Sequence, residues 1–225
     1  MARRRSLQQQ FLLALAGSSL VSVLLFACGA VRNHSLDFDY LVWNLFLAWL
    51  PLLFAVYLVR TLQTKLWSSW QGLTLSILWL AFLPNSFYMI SDYIHLQTTA
   101  RVDILYDTVL FTSFIYTGVI LGFSSLFLIH LQLKKRLAAR QAGLWIAATL
   151  LICCFGIYLG RDLRWNSWDI ITNPGGLLFD VSDRLLHPAA YPQMLITVAS
   201  FFTLLTTMYY LLWRGVQALR TADKV

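Results

Sequence analysis

The sequence predicts an all-α polytopic membrane bundle of about six transmembrane helices, and three observations predict it. The 225 residues are 59% hydrophobic and only 12% charged, with a mean hydropathy of +0.66. A soluble domain carries about 25% charged residues, so this chain cannot cover a water-facing surface. Its apolar residues fall into six long runs, roughly 11–31, 40–59, 70–90, 107–132, 142–160 and 191–213. Each approaches the ~20 residues that cross a ~30 Å hydrocarbon core as a helix. Between the runs the cations come in short clusters, as a membrane topology demands.

The runs are expected to be helical because backbone polar groups in lipid must be satisfied within their own segment. The links 32–39, 60–69, 91–106 and 133–141 are short, and 161–190 is the one long link. The chain reads as one integral membrane domain. The first run has a basic start and small residues near Cys28, features a cleavable leader shares. Its length favours a membrane span.

Orientation follows from Lys and Arg. Arg3, Arg4, Arg5, Arg60, Lys65, Lys134, Lys135, Arg136, Arg140, Arg214, Arg220 and Lys224 fall on one side, 12 of the 17. Arg32, Arg101, Arg161, Arg164 and Arg184 fall on the other. Cations stay inside, which predicts N-in, C-in topology in a bacterial cytoplasmic (inner) membrane. The acids divide the opposite way. All ten are Asp, and only Asp223 lies on the cation-rich side. The net charge of +7 therefore reflects topology, and a nucleic-acid partner is not expected. Membrane lipids are the expected partners; nothing identifies a protein partner.

Several signals read as packing. Gly118 and Gly122 form GxxxG in the fourth run, and Gly156 and Gly160 form another in the fifth. Such pairs let helix backbones approach closely. Cys28, Cys153 and Cys154 read as small apolar residues. Trp43, Trp67, Trp70, Trp165, Trp168 and Trp213 sit near run ends, where an aromatic belt belongs.

The polar chemistry gathers on the acidic side, in three segments. In Phe82–Leu96, Pro84 is expected to break the helix just before Asn85. Asp92 and His95, three apart, share a face if that stretch is helical. Asp107 opens the fourth run, where a carboxylate favours the positive helix end. In Gly160–Asp169, Arg161, Asp162, Arg164, Asn166 and Asp169 combine two guanidinium forks with carboxylates and tryptophans. Arginine suits phosphate or carboxylate. Asn173-Pro174-Gly175-Gly176 reads as a turn. Residues 177–187 read as a short interfacial helix, with Leu177, Leu178, Val181 and Leu185 on one face and i,i+4 pairs Asp180–Arg184 and Asp183–His187. Asn44, in the second run, needs a partner if buried.

Trp43-Asn44-Leu45, the run Phe82 to Leu96, and Gly160 to Asp169 with its Trp-Asn-Ser-Trp-Asp core resemble a bacterial membrane-protein family known only as domain of unknown function 1361. The resemblance covers roughly 40–190. It implies a multi-pass bacterial membrane protein, and it implies no reaction, cofactor or site.

The residues leave three classes of function open. An enzyme acting on a lipid or lipid-linked substrate would use Asp92, His95, Asp162 and Asp169 as acid/base candidates, with His187 nearby. Asn85, Arg161, Arg164 and Asn166 would bind the substrate, and Asp92, His95 and Asp107 are the candidate metal ligands. A non-catalytic subunit or an envelope assembly or sensing component is the second class. A small-solute transporter is the third, although intramembrane ionisable residues of the kind that mark ion paths are scarce. No cofactor is indicated, and without CxxCH haem is disfavoured.

Overall fold

A computed structural model describes residues 7–98, 104–165 and 169–222. Among them the elements run in order α1 (Leu7–Asn33), α2 (Asp39–Thr61), α3 (Trp70–Tyr88), a 3-10 segment (Met89–Thr98), α4 (Ile104–Lys134), α5 (Ala139–Asp162), α6 (Asp169–Thr172), α7 (Pro174–Leu186), a 3-10 turn (Pro188–Ala190) and α8 (Pro192–Ala222). No strand occurs among the described residues. Six helices are long and apolar enough to cross a membrane: α1, α2, α3 with its 3-10 extension, α4, α5 and α8. One end of the bundle carries the 3-10 segment and α6–α7; it is called the acidic end. The opposite end, with Lys65 and Lys134–Arg136, is the basic end.

α4 is the axis. Two thirds of its apolar window (67%) is buried, against 11% for α1 and for α8. Helices α1, α2, α3 and α5 all pack on it, while α8 packs against α5. Phe111, Phe114, Leu121 and Leu126 of α4 are fully buried. Burial of such side chains from water is worth about 1.5–3 kcal/mol each. Within lipid that term is small, and fit decides instead.

Fit is supplied by the glycine pairs, and both pairs receive α3. A methyl at Gly118 would lie 2.5 Å from Met89 Sδ, and one at Gly122 would lie 2.7 Å from Ser86 Cβ. On the other flank, a methyl at Gly156 would lie 3.0 Å from the Pro84 ring, and one at Gly160 would lie 3.4 Å from the Tyr88 ring. α3 is thus wedged between the two GxxxG faces.

Two local expectations are corrected. Pro84 does not end the helix; α3 runs through it to Tyr88. The ring is received by Gly156, and Asn85 Nδ2 donates to the Phe82 carbonyl at 3.0 Å. The winding tightens only at Met89. Asn173-Pro174-Gly175-Gly176 is the start of α7. Asn173 is its N-cap, accepting the Gly176 N–H at 3.1 Å. Pro174 follows at the first helical position, where its missing N–H costs nothing.

Candidate functional site

At the acidic end a groove of about 380 Å³ runs along α3 between α2 and α5. Three helix faces line it. α2 contributes Tyr40, Trp43, Asn44 and Leu47; α3 and its extension contribute Ala81, Pro84, Asn85, Tyr88, Asp92 and His95; α5 contributes Gly156, Leu159 and Gly160. Trp165, after the end of α5, and Leu177 of α7 complete the rim. The spacings are those of one face per helix. In the 3-10 segment, residues three apart eclipse, so Asp92 and His95 both reach the groove. From Ala81 to His95 the chain rises about 24 Å, at 1.5 Å per α-helical and 2.0 Å per 3-10 residue.

The wall changes character along that length. By position along the helices, Leu47, Ala81, Pro84 and Gly156, with Asn85 beside them, line the inner stretch, while Tyr40, Asn44, Tyr88, Leu159, Asp92 and His95 line the stretch toward the acidic end. Asp92 is 2% exposed, and its Oδ2 accepts from Asn44 Nδ2 at 3.1 Å. A buried carboxylate persists only with such partners. The Arg161 guanidinium, half-buried at the end of α5, is within electrostatic range of Asp92 and Tyr88. Tyr40 packs edge-on against His95, with ring centroids 5.4 Å apart. Among the described residues, the buried Tyr40 hydroxyl has no hydrogen-bond partner.

The rim is fixed by a turn and a network. Arg164 has a left-handed backbone, φ 61°, unusual outside glycine. It folds the chain back so that the Trp165 N–H bonds the Leu159 carbonyl at 3.1 Å. Trp165 Nε1 then donates to Asp180 Oδ2 at 2.7 Å, and Asp180 Oδ1 accepts from Arg184 at 3.1 Å. Arg184 lies over the Tyr191 ring, 4.7 Å from its centroid. Asp183 accepts from the Tyr191 hydroxyl and is paired with His187 at 3.1 Å. The Tyr191 bond, then that to His187, holds the Asp183 carboxyl below its ordinary value.

Of the residues expected to form the site, the structure brings together Asp92, His95, Asn85 and Asn44, with Arg161 near Asp92. Asp162 and Arg164 are exposed and outside the lining. Asp169 also lies outside it and accepts from Thr172 at 3.1 Å within α6. His187 is engaged with Asp183 at the far end of α7. Asn166 and Trp168 lie outside the described residues. Asp107 is 1% exposed in the first turn of α4 and does not line the groove. Of the candidate metal ligands, Asp92 and His95 share the groove and Asp107 does not. Among the described residues, no three His, Cys or Asp side chains converge as metal ligands, because Asp107 projects from a different helix into the core.

Sequence reasoning missed Tyr40, Tyr88, Gly156 and Gly160 as groove walls. The spacing of Tyr40, Trp43, Asn44 and Leu47 on one helical face carried the signal. Trp43 and Trp165, read as belt residues, also line the groove.

A family model described as "Protein of unknown function (DUF1361)" matches residues 43–208. The chain belongs to the DUF1361 family. The match spans α2 through most of α8 and takes in every groove residue except Tyr40. No curated protein and no solved structure matches the chain. Membership in DUF1361 brings no assigned activity.

Proposed function

We propose that this DUF1361 protein holds a lipid or lipid-linked molecule in the α2–α3–α5 groove, at the outer face of the bacterial inner membrane. The observation that carries the reading is the groove's change from a mostly apolar inner stretch to a polar stretch around the buried Asp92. An ionisable group within a membrane segment marks a functional site by default. An amphiphile matches both parts, with its chain along Leu47, Ala81 and Pro84 and its head at Asn44, Asp92 and His95. Arg161 favours a phosphate in that head, and Asp92 favours a hydroxyl or ammonium donor beside it. His95 and Asp92, one 3-10 turn apart, are placed to exchange a proton with such a head. The outward placement rests on the cation asymmetry of the two ends.

The test is native mass spectrometry of the detergent-released protein with phosphatidylglycerol, phosphatidylethanolamine and phosphatidic acid as probes. The first two carry a donor beyond the phosphate and are expected to bind more tightly than phosphatidic acid. Asp92→Ala and the groove-filling Ala81→Trp should each weaken retention about tenfold or more, equivalent to about 1.4 kcal/mol per decade. Equal retention of all three lipids by the wild-type protein and both variants would overturn the assignment.

A further inference from the structure

α7 is amphipathic in the inverted sense. Leu178, Phe179, Leu185 and Leu186 point away from the protein and are 65%, 72%, 63% and 74% exposed. They recur at intervals of seven with Ser182 between them, so they form one stripe. The opposite side is docked: Asp180 holds Trp165 and Arg184, and Arg184 is only 8% exposed. In water such an orientation would leave four large apolar side chains solvated, which the hydrophobic effect opposes.

From this we infer that α7 lies in the headgroup–acyl boundary of the bilayer at the acidic end, with lipid as the partner of its apolar stripe. Two further observations fit that partner. Ser182, the polar residue within the stripe, turns its hydroxyl onto the Leu178 carbonyl at 2.6 Å, which suits an apolar surrounding. The surface is also continuous with a membrane-crossing helix. Pro188, Ala189 and Ala190 carry no charge, and Leu195 and Ile196 at the start of α8 are exposed as well. At 13 residues, about 20 Å at 1.5 Å per residue, α7 is too short to cross. It lies along the interface as amphipathic surface helices do.

The experiment does not involve the groove's occupant, so its outcome is separable from that of the lipid-retention test. Single cysteines replace Phe179 and Ser182, with Ile77 (lipid-facing, mid-α3) and Lys135 (exposed, basic end) as depth rulers. All four are made in a Cys28→Ser background, since Cys153 and Cys154 are buried. Nitroxide labels are read in bilayer nanodiscs by collision with oxygen and with a water-soluble nickel chelate. The oxygen-to-nickel ratio at 179 and 182 is expected above that at 135 and below that at 77. A ratio equal to that at 135 would put the stripe in water. Shielding from both reagents would mean that protein covers it, a second copy included. Either result overturns the inference.

Discussion

Each end of the bundle has a buried titratable side chain that shows how that end is built, Asp92 at the acidic end and His130 at the basic end, and the two are treated differently. At the acidic end, Asp92 lines an open groove, with Asn44 across it and Arg161 nearby. At the basic end, His130 is closed in. Its Nδ1 is 2.8 Å from the Tyr209 hydroxyl, its ring stacks on Trp213 at 3.9 Å, and Lys134 caps that indole at 5.2 Å. Arg136 similarly lies over Trp67 at 5.5 Å and bonds Gln132. The basic end spends its polar groups on packing one helix end against the next. The acidic end leaves several facing a space. A buried polar residue in a membrane protein thus points to function when its surroundings are open, and to structure when they are filled.

The largest effect that sharpens this contrast comes from removing one partner at each end. Asn44→Leu removes the side-chain donor to the buried Asp92 and leaves its oxygen unsatisfied, at an expected cost of about 1–3 kcal/mol. His130→Phe keeps the stacked ring and removes one hydrogen bond between neutral groups, and within membranes such bonds average about 0.6 kcal/mol. Denaturant unfolding in mixed micelles measures both. Equal costs would erase the distinction between the ends.

A second difference is expected between two glycines. Gly122→Ala must displace Ser86 Cβ and the Phe87 ring, and overpacking of this kind costs about 1–3 kcal/mol. Gly143, near the basic end of α5, has nothing within 4 Å of an added methyl. Gly143→Ala is expected to be neutral or to gain up to about 1 kcal/mol of helix propensity. Thermal unfolding in detergent separates them; a Gly122→Ala protein as stable as wild type would show that the α3–α4 contact is loose.

The smallest effect concerns pH at the α7–α8 corner. The Asp183 carboxyl is held below its ordinary value by Tyr191 and then His187. A depressed pKa contributes stability that is present above the unfolded value of about 3.9 and is lost as pH falls through the folded value. Amide exchange at residues 183–191, corrected for intrinsic rates, should therefore stay level from pH 7 to 5 and rise only on further acidification. A rise near pH 6 would assign the corner's pH response to a group other than this carboxylate.

Much of the fold was legible because lipid imposes a simple rule: a long apolar run must satisfy its own backbone, so run length alone located all six spans to within a few residues, apart from the C-terminal end of α8 and the extension of α3. The pairing of Asp180 with Arg184 and of Asp183 with His187 was legible for a similar reason, since i,i+4 spacing on a helix places side chains together without help from the rest of the chain. The family, too, was readable from Trp43-Asn44-Leu45 and the two polar segments.

The site was legible only in part. Asp92 and His95 follow from one local spacing, but their company does not. That Asn44 rather than Asp107 meets Asp92, that both glycine pairs close on α3, and that the left-handed turn at Arg164 lays Trp165 on the rim depend on which helices become neighbours. Sequence by itself determined the number of spans, the asymmetry of charge and the amphipathic register of each helix, because these are properties of short stretches in a known solvent. Tertiary structure alone decided where the groove opens, because lateral order among apolar helices is set by shape, and hydrophobicity gives no preference among them.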